Sequence, residues 1–446
     1  MLKRSDLHGY QEKAVDFVKT KMTVNLWLGL SLGKTISSLT AIQELYDNFQ
    51  INKILILAPL RVCQTVWRQE ALNWEHTEHL TFKLFAGAKA KREAEMKRDA
   101  AITLCNYENI QALVKYHKDN KLPWDYDMVV FDESTKMKNS MSKRFRAIRP
   151  LLKKSPYRIN LTGTPSPNGL MDLYGQTWCL DGGARLGWNL SAFRRSFFNS
   201  DYFGYTFTPK DGAMHTIQSK LADITLSMST DDYLDLPPMI FDIIQTPLEG
   251  KLMRQYLEFE KEALLAIGDE EISAVNAAVL TGRLRQFSSG MIYGEDDKPN
   301  IPLHTLKLDM LDDIFADNPD EDFIVVYEFK HELERLMKRY PDGEVINDLN
   351  IERWNKGEIR KLFLQPQSAS HGINLQYNKK GNTMIFMTTP WSLELYQQTI
   401  GRLYRQNATE TVKVSHLIVG DVDLKVARAL TKKDATQQEL LVALKR

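Results

Sequence analysis

A chain of 446 residues is longer than one hydrophobic core ordinarily supports, so two domains are expected. Its 43% hydrophobic and 26% charged residues fit a soluble globular protein, and a formal charge of +1 excludes one that coats nucleic acid through bulk basicity. No apolar run approaches the roughly 20 residues of a membrane span, and the N-terminal MLKRSDLHGYQEKAVDF has no apolar signal segment, so a cytoplasmic location is the expectation.

In chain order, the first informative feature is Gly33-Lys34-Thr35, which follows the apolar residues 26–28 and precedes a helical run over 36–46. A phosphate-binding loop needs backbone N–H groups at a helix N-terminus, a lysine for the phosphates and a hydroxyl for Mg²⁺. Lys34 and Thr35 are of the required types, although Leu28 stands where the usual spacing has its first glycine. The apolar runs 54–58 and 128–131 predict strands buried on both faces. Asp132-Glu133 directly follows the second. An acidic pair there can hold Mg²⁺ through Asp132 while Glu133 orients and deprotonates water; the plainer alternative is a strand running into a polar loop.

Residues 136–158 carry Lys136, Lys138, Lys143, Arg144, Arg146, Arg149, Lys153, Lys154 and Arg158 with no acidic residue among them. Such a run suits phosphate contacts that ignore base sequence, and it equally suits a solvated helix face. A strand over 158–161 leads into Thr162-Gly163-Thr164, which alone reads as a turn. The segment 193–207 holds Arg194, Arg195, Phe197, Phe198, Tyr202, Phe203 and Tyr205. These could stack on bases, but a small core packed on the first lobe is preferred for most of the aromatics.

The two prolines of Leu-Asp-Leu-Pro-Pro at 234–238 interrupt regular structure, and the domain boundary is placed there, dividing 1–235 from 236–446. Residues 250–290 are helical in pattern; strands follow at 323–327, 384–387 and 412–419, with a helix over 393–405 that would put Arg402 and Arg405 on one side. Strand–helix alternation in both halves gives an α/β fold of two similar lobes, each a parallel sheet flanked by helices, with a small insertion at about 180–220. Cys63, Cys105 and Cys179 have no CxxC spacing, so buried free thiols are expected instead of a zinc site or disulfides.

Several segments, in this order, resemble the superfamily 2 helicases, and among them the Snf2-like ATPases in their compact phage and bacterial forms. His8-Gly9-Tyr10-Gln11 resembles the opening motif whose glutamine reads adenine, residues 30–35 (Leu-Ser-Leu-Gly-Lys-Thr) motif I, and Ala58-Pro59-Leu60 motif Ia. Asn106-Tyr107-Glu108 is similar to the segment that follows, Asp132-Glu133-Ser134-Thr135 to motif II, and residues 161–165 (Leu-Thr-Gly-Thr-Pro) to motif III. Residues 370–376 (Ser-His-Gly-Ile-Asn-Leu-Gln) resemble motif V and residues 398–406 motif VI. Two departures stand out: Ser31 where the family has glycine, and Ser134-Thr135 where motif II usually reads Ala-His.

The resemblance implies two RecA-like lobes that hydrolyse ATP with Mg²⁺ in a cleft and move along DNA. It places Gln11, Leu30, Ser31, Leu32, Gly33, Lys34, Thr35 and Gly372 at the nucleotide, with Thr35 and Asp132 on Mg²⁺. It makes Lys34, Asp132, Glu133, Gln398, Arg402 and Arg405 catalytic, the arginines supplied by the second lobe. Candidate DNA contacts are Arg61, Asn106, Lys136, Lys138, Arg149, Lys153, Thr164, Arg194, Arg195, His371, Asn374 and Trp391. The implied role is fork or junction remodelling by a monomer in phage or bacterial replication and recombination, in the host cytoplasm if phage-encoded, alongside other replication proteins. An RNA-directed helicase is opposed by the Snf2-like flavour around Trp391 and Gln406. A nucleotide-gated binding protein without hydrolysis is opposed by the intact Lys34, Asp132, Glu133, Arg402 and Arg405.

Overall fold

The computed structural model describes the chain outside residues 203, 205, 266–273, 295–298, 370–372 and 444–446, with backbone alone for 262–265, 274–280, 369, 439, 440, 442 and 443. It divides into two compact units, Met1–Leu234 with Lys433–Arg446, and Asp235–Lys432. The last stretch of chain therefore groups with the first unit, where the sequence suggested a single division.

The first unit is built on seven strands: β1 (Thr23–Leu28), β2 (Ile54–Ala58), β3 (Phe82–Phe85), β4 (Ile102–Asn106), β5 (Met128–Asp132), β6 (Tyr157–Thr162) and, after a hairpin of β7 (Phe198–Ser200) and β8 (Phe207–Pro209), β9 (Thr225–Met228). They are ordered β3-β4-β2-β5-β6-β1-β9 and every neighbouring pair is parallel. Alternating side chains leave a strand on opposite faces, and both faces here are covered. Ile54, Ile56 and Ala58 of β2 and Met128 and Val130 of β5 join the apolar cluster with helices α1 (Gly9–Lys21) and α2 (Lys34–Asp47). Leu55, Leu57, Val129 and Phe131 point into a second cluster on the other face. That is why β2 and β5 read as unbroken apolar runs. Because strands run in one direction, the loops after β1, β2, β4, β5 and β6 all emerge at one edge of the sheet.

Between β6 and β9 lies the insertion, with helices Leu173–Asp181, Leu190–Phe197 and Ala213–Leu221 around the β7–β8 hairpin. Phe193, Phe197 and Phe198 form its core with Tyr174 and Ile217, whereas Tyr202 is 96% exposed. Phe203 and Tyr205 lie outside the described residues.

The second unit is a six-stranded parallel sheet of β10 (Met239–Thr246), β13 (Phe323–Val326), β14 (Glu344–Val345), β15 (Lys361–Leu364), β16 (Thr383–Phe386) and β17 (Val412–Val419), ordered β10-β17-β16-β13-β15-β14. A small hairpin, β11 (Met291–Ile292) with β12 (Ile301–Pro302), stands apart. Phe323, Val325 and Ile385 pack on one face, Ile324, Val326 and Phe386 on the other. The expected helix over 393–405 is shorter: it spans Leu393–Ile400, and Gly401 begins a series of turns. The carbonyl of Arg402 accepts from Leu375 N at 3.0 Å, and Arg402 N, Leu403 N and Tyr404 N donate to Thr399 O, Ile400 O and Ile400 O. The helix thus gives way to tighter i→i+3 turns before either arginine. The three cysteines are free and buried, as their spacing implied.

Candidate nucleotide site and nucleic-acid contacts

The loop between β1 and α2 closes on itself. Gly33 caps α2 with φ 70°, a left-handed conformation that favours glycine, and a Cβ on it would overlap the amide of Gln11. Gln11, itself buried, accepts from His8 N at 2.8 Å and so caps the first turn of α1 beside the loop. His8 stacks on Tyr10 at 5.2 Å, and Tyr10 meets Tyr233 at 5.1 Å. The opening motif thus lies directly against the loop. Leu32 is buried in the apolar cluster, so only its backbone is left to face a ligand. The Leu30 carbonyl accepts from Thr230 Oγ1 at 2.9 Å. Thr230, just past β9, carried no signal in the sequence that linked it to this loop.

Ser31 adopts φ 65°. A serine there costs about 1–2 kcal/mol relative to glycine, and its buried hydroxyl has no hydrogen-bond partner among the described residues. Lys34 Nζ donates to the carbonyls of Leu28 at 2.9 Å and Gly29 at 3.2 Å, which keeps the ammonium over the loop. Thr35 opens the helix directly after it.

Asp132 ends β5 on the same face as Met128 and Val130, and hence on the α2 side of the sheet. It is buried, and burial raises its pKa, opposed by the indole of Trp67 and the charge of Lys34. Trp67 Nε1 donates to Asp132 Oδ2 at 2.9 Å, and Tyr107 OH donates to the Asp132 carbonyl at 2.8 Å. Glu133 takes a left-handed conformation, φ 56° and ψ 59°, which breaks the strand and turns its carboxylate away from the β5 alternation. Strand β6 lies between β5 and β1, so Thr162-Gly163-Thr164 emerges between the acidic pair and the lysine loop. A Cβ at Gly163 would stand 3.2 Å from the Leu28 carbonyl and 3.7 Å from Lys34 Nζ. Glycine is what permits that approach.

A buried polar chain runs behind these loops. Asn25 donates to Thr225 at 3.2 Å, Asn160 to Asn25 at 3.0 Å, and Asn160 also to the Gln176 carbonyl. Gln176 then accepts from Ser134 Oγ at 2.7 Å and donates to the Pro165 carbonyl at 2.8 Å. The serine that departs from the usual motif II thus gains a bond that an alanine could not make, and Gln176 links that motif to the loop after β6.

The candidate polymer contacts divide. Lys136, Arg149, Lys153 and Arg195 are exposed on the first unit, with Arg149 over the Trp178 ring at 4.5 Å. Lys138 is paired with Asp172 at 3.3 Å, and Arg194 lies over Phe207 at 4.2 Å. Asn106 is buried and bonded to Glu108 and Asn109, shaping its own turn, and Thr164 is buried as well. Neither presents its side chain to a strand in this conformation. Arg61 stands half-buried at the start of a π-helical turn, Val62–Val66.

In the second unit, Gln398 is buried against Glu394. Arg405 donates to the Ile373 carbonyl at 3.2 Å and to the Asn374 side chain, so motif VI is tied to the end of motif V within that unit. Arg402 is half-buried in the turn before it. Asn374 and Trp391 are exposed, and His371 and Gly372 lie outside the described residues.

A lysine loop opening a helix, with a carboxylate at the end of a parallel strand one place removed in the same sheet, is the arrangement of nucleoside triphosphate hydrolases. Residues 10–286 match the SNF2-related domain and residues 306–407 the helicase conserved C-terminal domain. The chain belongs to the SNF2-related family of superfamily 2 helicases, and it is an ATP hydrolase. It is similar to putative protein p41 of Acyrthosiphon pisum secondary endosymbiont phage 1, with 35% identity over 98% of each chain. It is also 24% identical to the CHD3-type chromatin-remodeling factor PICKLE of Arabidopsis thaliana, over 98% of its own length but 34% of that protein. Among solved structures, the Sulfolobus solfataricus SWI2/SNF2 ATPase core in complex with dsDNA aligns with TM-score 0.47 and 20% identity, over 98% of this chain and 92% of that one.

Proposed function

We propose that the protein is an ATP-driven DNA translocase that remodels forked or branched DNA in phage or bacterial replication, recombination or repair, acting as a monomer in the host cytoplasm. The observation that carries the reading is the convergence of Lys34, Gly163 and the Asp132-Glu133 pair at one edge of one sheet. In that role Gln11 reads adenine, and the backbone from Leu30 to Gly33 with Lys34 holds the phosphates. Glu133 takes the proton of the attacking water. Arg402 and Arg405, with Gln398 and Gly372, complete the site from the second lobe and stabilise charge on the transferred phosphoryl group.

The donor set fits a magnesium ion. A buried carboxylate with a raised pKa gains from a cation, and the Thr35 hydroxyl is an oxygen ligand of the preferred kind. Among the described residues there is no group of three or more His, Cys, Asp or Glu suited to a metal, so Asp132 and Thr35 would hold the ion jointly with the substrate phosphates. When bound it would neutralise developing phosphate charge.

DNA is favoured as the track by the chromatin-remodeling role named for the Arabidopsis relative, and phage biology by the phage origin of p41. Arg61, Lys136, Arg149, Lys153, Arg195, His371, Asn374 and Trp391 would line the polymer path, the exposed lysines and arginines through phosphates. The test is the ATPase rate against single-stranded, duplex, forked and four-way DNA, with RNA as control. Stimulation greatest on forked or four-way DNA is expected. Stimulation by RNA alone would replace DNA as the track, and a rate indifferent to every polymer would remove the translocase.

A further inference from the structure

Trp67 lies 65 residues before Asp132, yet its Nε1 donates to Oδ2 at 2.9 Å, and its ring is fully buried. How it arrives there is a property of the chain after β2. The helix that begins past Pro59 includes the π-helical turn Val62–Val66 before α3 (Trp67–Asn73). A π turn takes one residue more than an α turn, so it rotates all that follows by about 100°. That rotation sets the azimuth at which Trp67 leaves the helix. The same π turn begins next to Arg61, a candidate polymer contact.

The bond is not forced by a general need of this fold to pair buried indoles. Trp27 Nε1 and Trp124 Nε1 are buried without a hydrogen-bond partner among the described residues. The other donor to the Asp132 carboxylate is the Glu133 backbone N–H, which follows the strand end directly. An indole can only donate, so it fixes one carboxylate oxygen and directs the remaining acceptor capacity of Asp132 elsewhere.

We propose that Trp67 is the positioning residue of Asp132, holding the carboxylate in the orientation that receives the divalent ion accompanying the nucleotide, with the π turn Val62–Val66 as the device that aims it. The inference rests on the nucleotide reading above and adds to it a residue outside 58–60 and 132–135. Partners of a metal-binding carboxylate commonly alter metal affinity by about 10–100-fold when removed.

The test is Mg²⁺-dependent binding of a fluorescent ATP analogue to the full chain, without polymer and without turnover. In Trp67→Phe, and in a variant carrying benzothienylalanine at position 67, which keeps the bicyclic shape but has no N–H, the half-saturating Mg²⁺ should rise about tenfold. Binding in the presence of EDTA should stay as in the wild type. The benzothienyl variant keeps the test sound where the smaller ring disturbs folding. An unchanged Mg²⁺ requirement in it, beside a normal wild type, would overturn the positioning role and leave the nucleotide reading intact. Absence of Mg²⁺-dependent binding in the wild type would overturn both.

Discussion

In the first lobe the motif carboxylate Asp132 is held by an indole outside the motif segments, whereas in the second the motif arginine Arg405 is held by another motif segment. Asp132 is fixed by Trp67 and Tyr107, Gln11 lies against Gly33, and Ser134 reaches Gln176. Arg405 instead bonds the Ile373 carbonyl and Asn374, in a stretch where regular helix has already ended at Ile400. The first lobe is thus built as a preformed site. In the second, Arg405 Nη1 is engaged by the motif V segment, and in the role proposed for it the guanidinium would turn to a phosphate during part of a cycle.

Breaking the preformed side should have the largest effect. Glu133→Gln should lower turnover by about 10⁴-fold, with Lys34→Ala comparable, while far-UV circular dichroism and some DNA binding persist; appreciable turnover in both would overturn the site. Arg405→Ala should lower turnover by about 10³-fold with little loss of nucleotide affinity. Equal losses of binding and turnover would mean that the second lobe is as preformed as the first.

A smaller effect separates the lobes by acid. Burial pushes the pKa of His304, His331 and His416 in the second lobe down to about 4. In the first lobe His76 and His117 are also lowered by burial. A neutral imidazole in the fold against one that takes a proton near 6.5 when unfolded gives stability that is complete above about pH 6.5. It is lost as pH falls from there towards 4, at up to about 1.4 kcal/mol per pH unit for each histidine. Hydrogen exchange between pH 7 and 4.5 should therefore show the second sheet losing protection first. Loss in β1–β6 first would reverse the comparison.

The smallest effect concerns the surface. Arg149→Glu with Lys153→Glu should weaken DNA binding and reduce the dependence of log affinity on log salt by about 2. An unchanged slope would make this a solvated face. Lys138, already paired with Asp172, should contribute less to the slope than either.

The strands were legible because burial on both faces demands apolar side chains at every position, as in β2 and β5. The candidate nucleotide groups could be named because their chemistry restricts residue type (a lysine, a hydroxyl, adjacent carboxylates), and the fold brings them to one edge of one sheet. Pairs formed by folding were not legible. Nothing in residues 59–73 announces that an indole will meet Asp132, and nothing around Gln176 announces Ser134 or Pro165. The apolar and polar spacing of 393–405 continues a helical pattern, yet the helix ends at Ile400 and the chain passes into turns whose Arg402 carbonyl pairs with Leu375. Charge counting in 136–158 likewise missed that Asp172, outside the run, neutralises one member.

The buried thiols have a practical consequence. Cys63, Cys105 and Cys179 are the chain's three cysteines, and burial raises the pKa of each, to about 12 for Cys63. Maleimide dyes attack through the thiolate, so the native chain should remain nearly silent to them without any prior mutagenesis. One cysteine placed at Phe49, 95% exposed in the first unit, and one at Leu349, 88% exposed in the second, would then be the sole bright sites. Energy transfer between them could follow single molecules through each round of nucleotide consumption.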